Sequence, residues 1–215
     1  MGRPGRARRH AAGGAARSPA ARGCRPGAVP APLLNPEERG RLQRLLRPDD
    51  RERYLLARGA LRLLLAAITG QAPQDLGITV RPGGKPYLPR GPRFNLSHSG
   101  GLVLLALHPC LETGVDVERA RPELAWQRIA GTVLPAAVQE RLAGLPVVDQ
   151  RQAFLREWCR LEARLKARGW GLAGQRHLPS EPEAGIRERV WDLELPEGST
   201  GALAVVATSQ VPTMP

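Results

Sequence analysis

The spacing of apolar residues changes at Gly70, and that change restricts the fold more than any other feature of the chain. Before it, the run from Arg51 to Thr69 carries Tyr54, Leu55, Leu61, Leu64, Leu65 and Ile68 at helical spacing, and Gly70 is a helix stop. Asn35-Pro36-Glu37-Glu38 reads as an earlier helix start, with Asn as cap, Pro at the first helical position and Glu three residues after the cap. Leu42, Leu45 and Leu46 follow on one face. Beyond Gly70 the pattern is that of strands. Ile78 to Arg81, the turn Pro82-Gly83-Gly84 and Lys85 to Leu88 read as a hairpin. Phe94 to Ser97, Leu102 to Leu107 and Thr113 to Glu118 read as three more strands, the first two joined at Ser99-Gly100-Gly101.

A second half takes up the same theme. Helical segments fall near Pro122 to Ala130, Pro135 to Ala143 and Gln150 to Arg168, and short strands near Arg189 to Leu193 and Ala202 to Thr208. Helices grouped with antiparallel-looking strands predict an α+β fold and not a doubly wound α/β sheet. The expected organisation is a basic arm over residues 1–32, an N-terminal half over 33–111 and a C-terminal half over 112–210. A chain of 215 residues with 42% hydrophobic content suits one domain, or two small halves sharing a core. No eighteen consecutive residues are apolar, which argues against a membrane span. Cys24, Cys110 and Cys159 are odd in number and far apart, so they form neither a disulfide framework nor a zinc pattern. A reducing, cytoplasmic setting is expected.

Charge is uneven along the chain. The net charge is +12, and seven arginines lie in the first 32 residues, of which 27 are Ala, Gly, Pro or Arg. Such an arm has too few large apolar side chains to repay ordering, so disorder is expected. Its Arg-rich, acid-free character also suits a nucleic-acid arm or a transit peptide, but the plainest reading is a solvated extension.

Three places carry residues suited to chemistry. In Gly114-Val115-Asp116-Val117-Glu118, strand alternation puts Asp116 and Glu118 on one side and the valines on the other. Two carboxylates so placed repel unless a cation sits between them, and oxygen ligands alone suggest a hard ion such as Mg²⁺. The plainer alternative is an exposed acidic face on an edge strand. In Trp158-Cys159-Arg160-Leu161-Glu162-Ala163-Arg164-Leu165-Lys166, Glu162 and Lys166 have the favourable i, i+4 order, with Trp158 one turn earlier. That pair is open to a bland reading too, as a surface bridge beside a core tryptophan. Only two of the 32 basic residues are lysines, Lys85 and Lys166, which raises the question whether a compact ammonium is needed at each. The third place is Phe94-Asn95-Leu96-Ser97-His98-Ser99, where His98 would leave a strand beside a glycine turn able to approach a phosphate. His10, His108 and His177 have no partner pattern.

In this order and spacing, four segments resemble the Sfp-type 4′-phosphopantetheinyl transferases: Gly84-Lys85-Pro86, Phe94 to Ser99, Gly114 to Glu118, and Trp158-x-x-x-Glu162-Ala163-x-x-Lys166. The resemblance covers about Leu34 to Thr208, with Arg53 nine residues before Arg62 in the basic helical region. It implies two similar α+β halves related by a pseudo-two-fold axis, with coenzyme A bound between them. It also implies transfer of the phosphopantetheine arm to a serine of an acidic acyl or peptidyl carrier protein, releasing adenosine 3′,5′-bisphosphate. Carried over residue by residue, Asp116, Glu118 and Glu162 would hold Mg²⁺, and Glu162, Lys166 and Glu118 would form the catalytic group. Lys166, His98 and Ser97 would meet the phosphates. Arg53 and Lys85 would hold the 3′-phosphate and adenine end with Pro86 nearby, and Arg41 and Arg81 are further candidates. Either Glu162 or a metal-bound water would take the serine proton. A monomer without membrane or nucleic-acid partners is expected.

One position departs from the family pattern. The family usually has Lys at the place of Leu161, and Arg160 is one residue away, about 100° round the helix. Two other functions stay open: a catalytically weak relative that binds coenzyme A or a carrier, suggested by Leu161, and a nucleic-acid-binding protein, suggested by the arm and the net charge of +12. An aromatic content of 4% is low for base-stacking platforms.

Overall fold

The computed structural model describes residues 31–172, 174, 178 and 186–208. Of the arm over residues 1–32 that was expected to be disordered, residues 1–30 lie outside the described residues, as do His10, Cys24 and His177, whereas Ala31–Leu33 form a short 3-10 turn.

The first helix, α1 (Pro36–Arg44), begins as the sequence indicates. The Glu38 amide donates to Asn35 Oδ1 at 2.8 Å, and the Asn35 amide donates back to Glu38 Oε2, closing a capping box. Glu38 is also the partner of Arg62, a fully buried side chain that further donates to the carbonyls of Pro73 and Leu76. α2 (Pro48–Thr69) starts three residues earlier than expected and stops at Gly70, whose φ of 72° is left-handed. Its inward stripe is narrower than its leucine content suggests. Ala57, Leu61 and Leu65, four residues apart, are buried, and the two leucines pack on Leu76, Leu88 and Phe94, whereas Leu64 and Ile68 are exposed on the neighbouring stripe.

A two-stranded hairpin follows, β1 (Thr79–Val80) with β2 (Pro86–Tyr87), and then a longer one, β3 (Arg93–Ser99) with β4 (Leu102–His108). β3 runs two residues beyond the expected strand, so His98 stands inside it and not at its exit. β5 (Glu112–Arg119) belongs to a second, three-stranded antiparallel sheet of order β5-β7-β6, with β6 (Ile186–Asp192) and β7 (Ser199–Thr208). Between β5 and β6 come α3 (Trp126–Val133), α4 (Ala136–Ala143) and α5 (Val147–Arg168). Helices with antiparallel sheets make the α+β class plain.

α5 lies directly on this sheet because the contact is built from small side chains. Cys159, Ala163 and Ala167 meet Ala202, Ala204 and Val206. Gly114 permits the closest approach: a Cβ there would stand 2.1 Å from the Ala163 carbonyl oxygen. Further along, α5 packs through Phe154 and Leu155 on Trp126, Ala130, Leu134 and Leu142, with Phe154 between the rings of Trp126 and Trp158. The two sheets meet along β3 and β5 without a backbone ladder among the described residues. Side chains of β3 make the join instead. Asn95 Oδ1 accepts the Val115 amide at 2.9 Å, and Ser99 Oγ accepts the Arg119 amide at 3.1 Å.

Candidate active site

Three elements bring their polar residues to one cleft of about 310 Å³. β5 supplies Asp116 and Glu118, two apart on one side of the strand. α5 supplies Trp158, Glu162 and Lys166, four apart along one stripe. β3 supplies Ser97 and His98. The opposite side of β5, Val115 and Val117, is buried as well, and Asp116 is only 3% exposed. The alternative of an acidic face on an exposed edge is therefore excluded for Asp116.

The charges are arranged across elements. Lys166 Nζ donates to Asp116 Oδ1 at 2.6 Å and to Ser97 Oγ at 3.1 Å, so it reaches over to β5 and β3. Ser97 Oγ in turn donates to Asp116 Oδ1 at 2.9 Å, and Ser99 Oγ donates to Glu118 Oε2 at 3.0 Å. Burial raises the Glu118 carboxyl above its usual range, and the neighbouring Asp116 charge adds to this. Burial raises Glu162 too, with Lys166 opposing and the two β5 carboxylates reinforcing the rise. Burial lowers the His98 imidazole, helped by the Arg53 cation. The buried Cys159 thiol, which donates to the Thr200 carbonyl, is pushed far up by burial and by Asp116.

The donor set suits a hard divalent cation. Three carboxylates face one cleft, and buried Asp116 Oδ2 has no hydrogen-bond partner. Among the described residues these groups are not gathered into a closed ligand cluster, and Lys166 supplies the positive charge at Asp116. The fit is thus one of donor chemistry and facing direction.

Other expected contacts fall elsewhere. Arg53, on α2, pairs with Asp50 at 3.3 Å and lines a second cleft of about 260 Å³ with Arg47, Gly100, Arg119 and Arg121. Lys85 is buried outside the first cleft's lining, against Glu112, and Pro86 follows it in β2. Arg81 is held by Glu112 and lies over the Tyr87 ring, while Arg41 lies over Tyr54. Arg160 turns away to a two-pronged bond with Asp192, both arms 2.7 Å, and Leu161 joins the apolar cluster under α3 and α4. The sequence reading passed over Asn95 and Ser99 as functional residues. Their signal was present in the alternation 95, 97, 99, which puts all three on one face of β3.

A small α+β protein whose two antiparallel units meet at a carboxylate- and lysine-lined cleft is the class these features define. The family description "4′-phosphopantetheinyl transferase, N-terminal" matches residues 28–110, and "4′-phosphopantetheinyl transferase superfamily" matches residues 112–191. The 4′-phosphopantetheinyl transferase HetI of Nostoc is 32% identical over 76% of this chain and 73% of its own length. A Synechocystis protein bearing the same transferase name is 37% identical over 66% of this chain and 59% of its own. The 4′-phosphopantetheinyl transferase AcpT of Escherichia coli is 33% identical over 55% of this chain and 58% of its own. The chain belongs to the 4′-phosphopantetheinyl transferase family. It spans less than two thirds of the Synechocystis and E. coli relatives.

Proposed function

We propose that the chain is an Sfp-type enzyme that transfers the 4′-phosphopantetheine arm of coenzyme A to a serine hydroxyl of an apo acyl or peptidyl carrier protein. The observation that carries this reading is the convergence of Asp116, Glu118, Glu162 and Lys166 on one cleft from β5 and α5. Asp116, Glu118 and Glu162 would hold Mg²⁺, which when bound neutralises pyrophosphate charge and orients its oxygens. The chain's own residues account for the rest. Lys166 lies at the cleft wall with its ammonium on Asp116 and Ser97, in place to meet a phosphate that approaches the carboxylates. His98 lies at the cleft, open to solvent on one side, and the partial desolvation of its imidazole together with the Arg53 cation keeps it neutral to lower pH. Glu162, made more basic by burial, is the acceptor we assign to the serine proton. Trp158 and Leu96 supply the apolar part of the cleft lining beside these groups.

The related finer readings follow from the same assignment: adenosine 3′,5′-bisphosphate as second product, two pseudo-symmetric halves, an acidic carrier, a monomer and a cytoplasmic setting. Among the described residues, no helix is long and apolar enough to cross a membrane. The test is to incubate the protein with coenzyme A, an apo carrier and Mg²⁺ and to follow adenosine 3′,5′-bisphosphate by chromatography. Release that needs both carrier and Mg²⁺ is expected, and release independent of the carrier would refute the transfer.

A further inference from the structure

Lys85 stands where the family resemblance expects a contact with coenzyme A, yet its surroundings give it other work. Its ammonium is 6% exposed as a residue and makes three hydrogen bonds: to Glu112 Oε2 at 2.8 Å, to the Thr113 carbonyl at 2.9 Å and to the Ala167 carbonyl at 3.0 Å. An ammonium has three N–H donors, and all three are used.

The acceptors are telling. Ala167 belongs to the last turn of α5, where carbonyls lack partners within the helix. Gly169, left-handed at φ 73°, closes that end by donating to the Leu165 and Lys166 carbonyls, and Trp170 also donates to Leu165. The Ala167 carbonyl is left over, and Lys85 takes it while placing a cation at the negative end of the helix. The second carbonyl, Thr113, is on β5 beside Gly114, the point where that strand touches Ala163 and Ala167. One nitrogen therefore pins a carbonyl of α5 to a carbonyl of β5. The preceding turn seats against the same helix end, since a Cβ on Gly83 would stand 2.0 Å from the Gly169 carbonyl oxygen.

We propose that Lys85 is a positioning residue that fixes α5 against β5, and so sets Glu162 and Lys166 opposite Asp116 and Glu118. A slip of one residue along a helix moves it about 1.5 Å and turns it about 100°, enough to take Glu162 out of the cleft. The three acceptors converge on a single atom, which suits a compact ammonium and not a planar guanidinium fork. That accounts for a lysine here in a chain that otherwise uses arginine almost throughout.

This inference rests on the transferase reading, and the wild type controls for it. If the wild-type protein neither binds coenzyme A nor modifies a carrier, the functional reading fails before Lys85 is tested. With an active wild type, Lys85→Met and Lys85→Arg are compared for kcat, for coenzyme A dissociation constant by calorimetry, and for amide exchange at 167–170. We expect both variants to lose about 10–100-fold in kcat, the range for misplaced reacting groups, with coenzyme A affinity held within about threefold and faster exchange at the helix end. A phosphate contact predicts the reverse pattern: weaker coenzyme A binding in Lys85→Met, restored by the charge of Lys85→Arg. That result, or an unchanged kcat in Lys85→Met, overturns the proposal. Should neither variant fold, Glu112→Gln weakens one acceptor while leaving the lysine in place. It is expected to lower kcat with unchanged coenzyme A affinity, and an unchanged kcat in it also overturns the proposal.

Discussion

Replacing Asp116 by Asn separates the metal assignment from simple structural damage. In the metal-free protein the Asp116 carboxylate accepts from Lys166 at 2.6 Å and from Ser97 at 2.9 Å, both on Oδ1. An asparagine oxygen keeps both bonds but loses the charge, which is the larger part of a charge-assisted bond worth about 1.5–3 kcal/mol. The new amide NH₂ takes the place of Oδ2, a buried atom that already lacks a partner, so this exchange adds little. Relief of repulsion on Glu118 and Glu162 offsets part of this. The net loss is about 1 kcal/mol, or roughly 2–4 °C in Tm for a chain of this size. Saturating Mg²⁺, at about a hundred times its Kd, stabilises a binding protein by about 2.7 kcal/mol. Thermal unfolding by fluorescence with and without Mg²⁺ should thus show a clear rise for the wild type and little for Asp116→Asn. A full Mg²⁺-induced rise in the variant would refute the reasoning, whatever its metal-free Tm.

Further outcomes are expected elsewhere in the site. Ser99→Ala removes the bond that orients Glu118 and should weaken Mg²⁺ binding by about tenfold in calorimetry, as loss of a ligand's supporting partner does; unchanged affinity would count against it. Glu118 is raised above its ordinary 4.5, so the folded state holds its proton more tightly, and the stability this gives is lost as pH rises through the raised value. Without metal, Glu118→Gln should therefore gain on the wild type in urea denaturation as pH goes from about 4.5 to 7, and a constant difference would contradict the shift. Gly114→Ala forces a methyl against the Ala163 carbonyl and should cost about 3 kcal/mol or more, read as a fall in the urea midpoint. Leu161→Lys takes an apolar side chain out of the α3–α4 cluster and should lose about 1–2 kcal/mol with no gain in turnover; a large gain in turnover would mean that the family lysine is missed here.

Local signals in the sequence carried far. The Asn35 capping box, the Gly70 stop, the hairpin at Pro82-Gly83-Gly84 and the facing of Asp116 with Glu118 each depend on residues within a few positions of one another. What could not be read depends on distance along the chain. Lys85 finds Ala167 across 82 residues, and Lys166 finds Asp116 across 50, so their partners follow only from how α5 lies on β5. The exposure of Leu64 and Ile68 has the same origin, since hydropathy marks which residues prefer burial but not how wide a face the neighbouring core will cover. Ser99 was hidden differently. Its hydroxyl reads as turn chemistry beside two glycines until β5 is placed alongside.

The most direct test of the central claim is the intact mass of an apo carrier protein after incubation with this chain, coenzyme A and Mg²⁺, alongside the same mixture with EDTA. The account predicts that the carrier gains one phosphopantetheine group, that EDTA abolishes the gain, and that Asp116→Asn reproduces the EDTA result. A carrier modified equally well in EDTA, or by Asp116→Asn, would contradict the metal-dependent site; carriers that all stay unmodified would contradict the transfer itself.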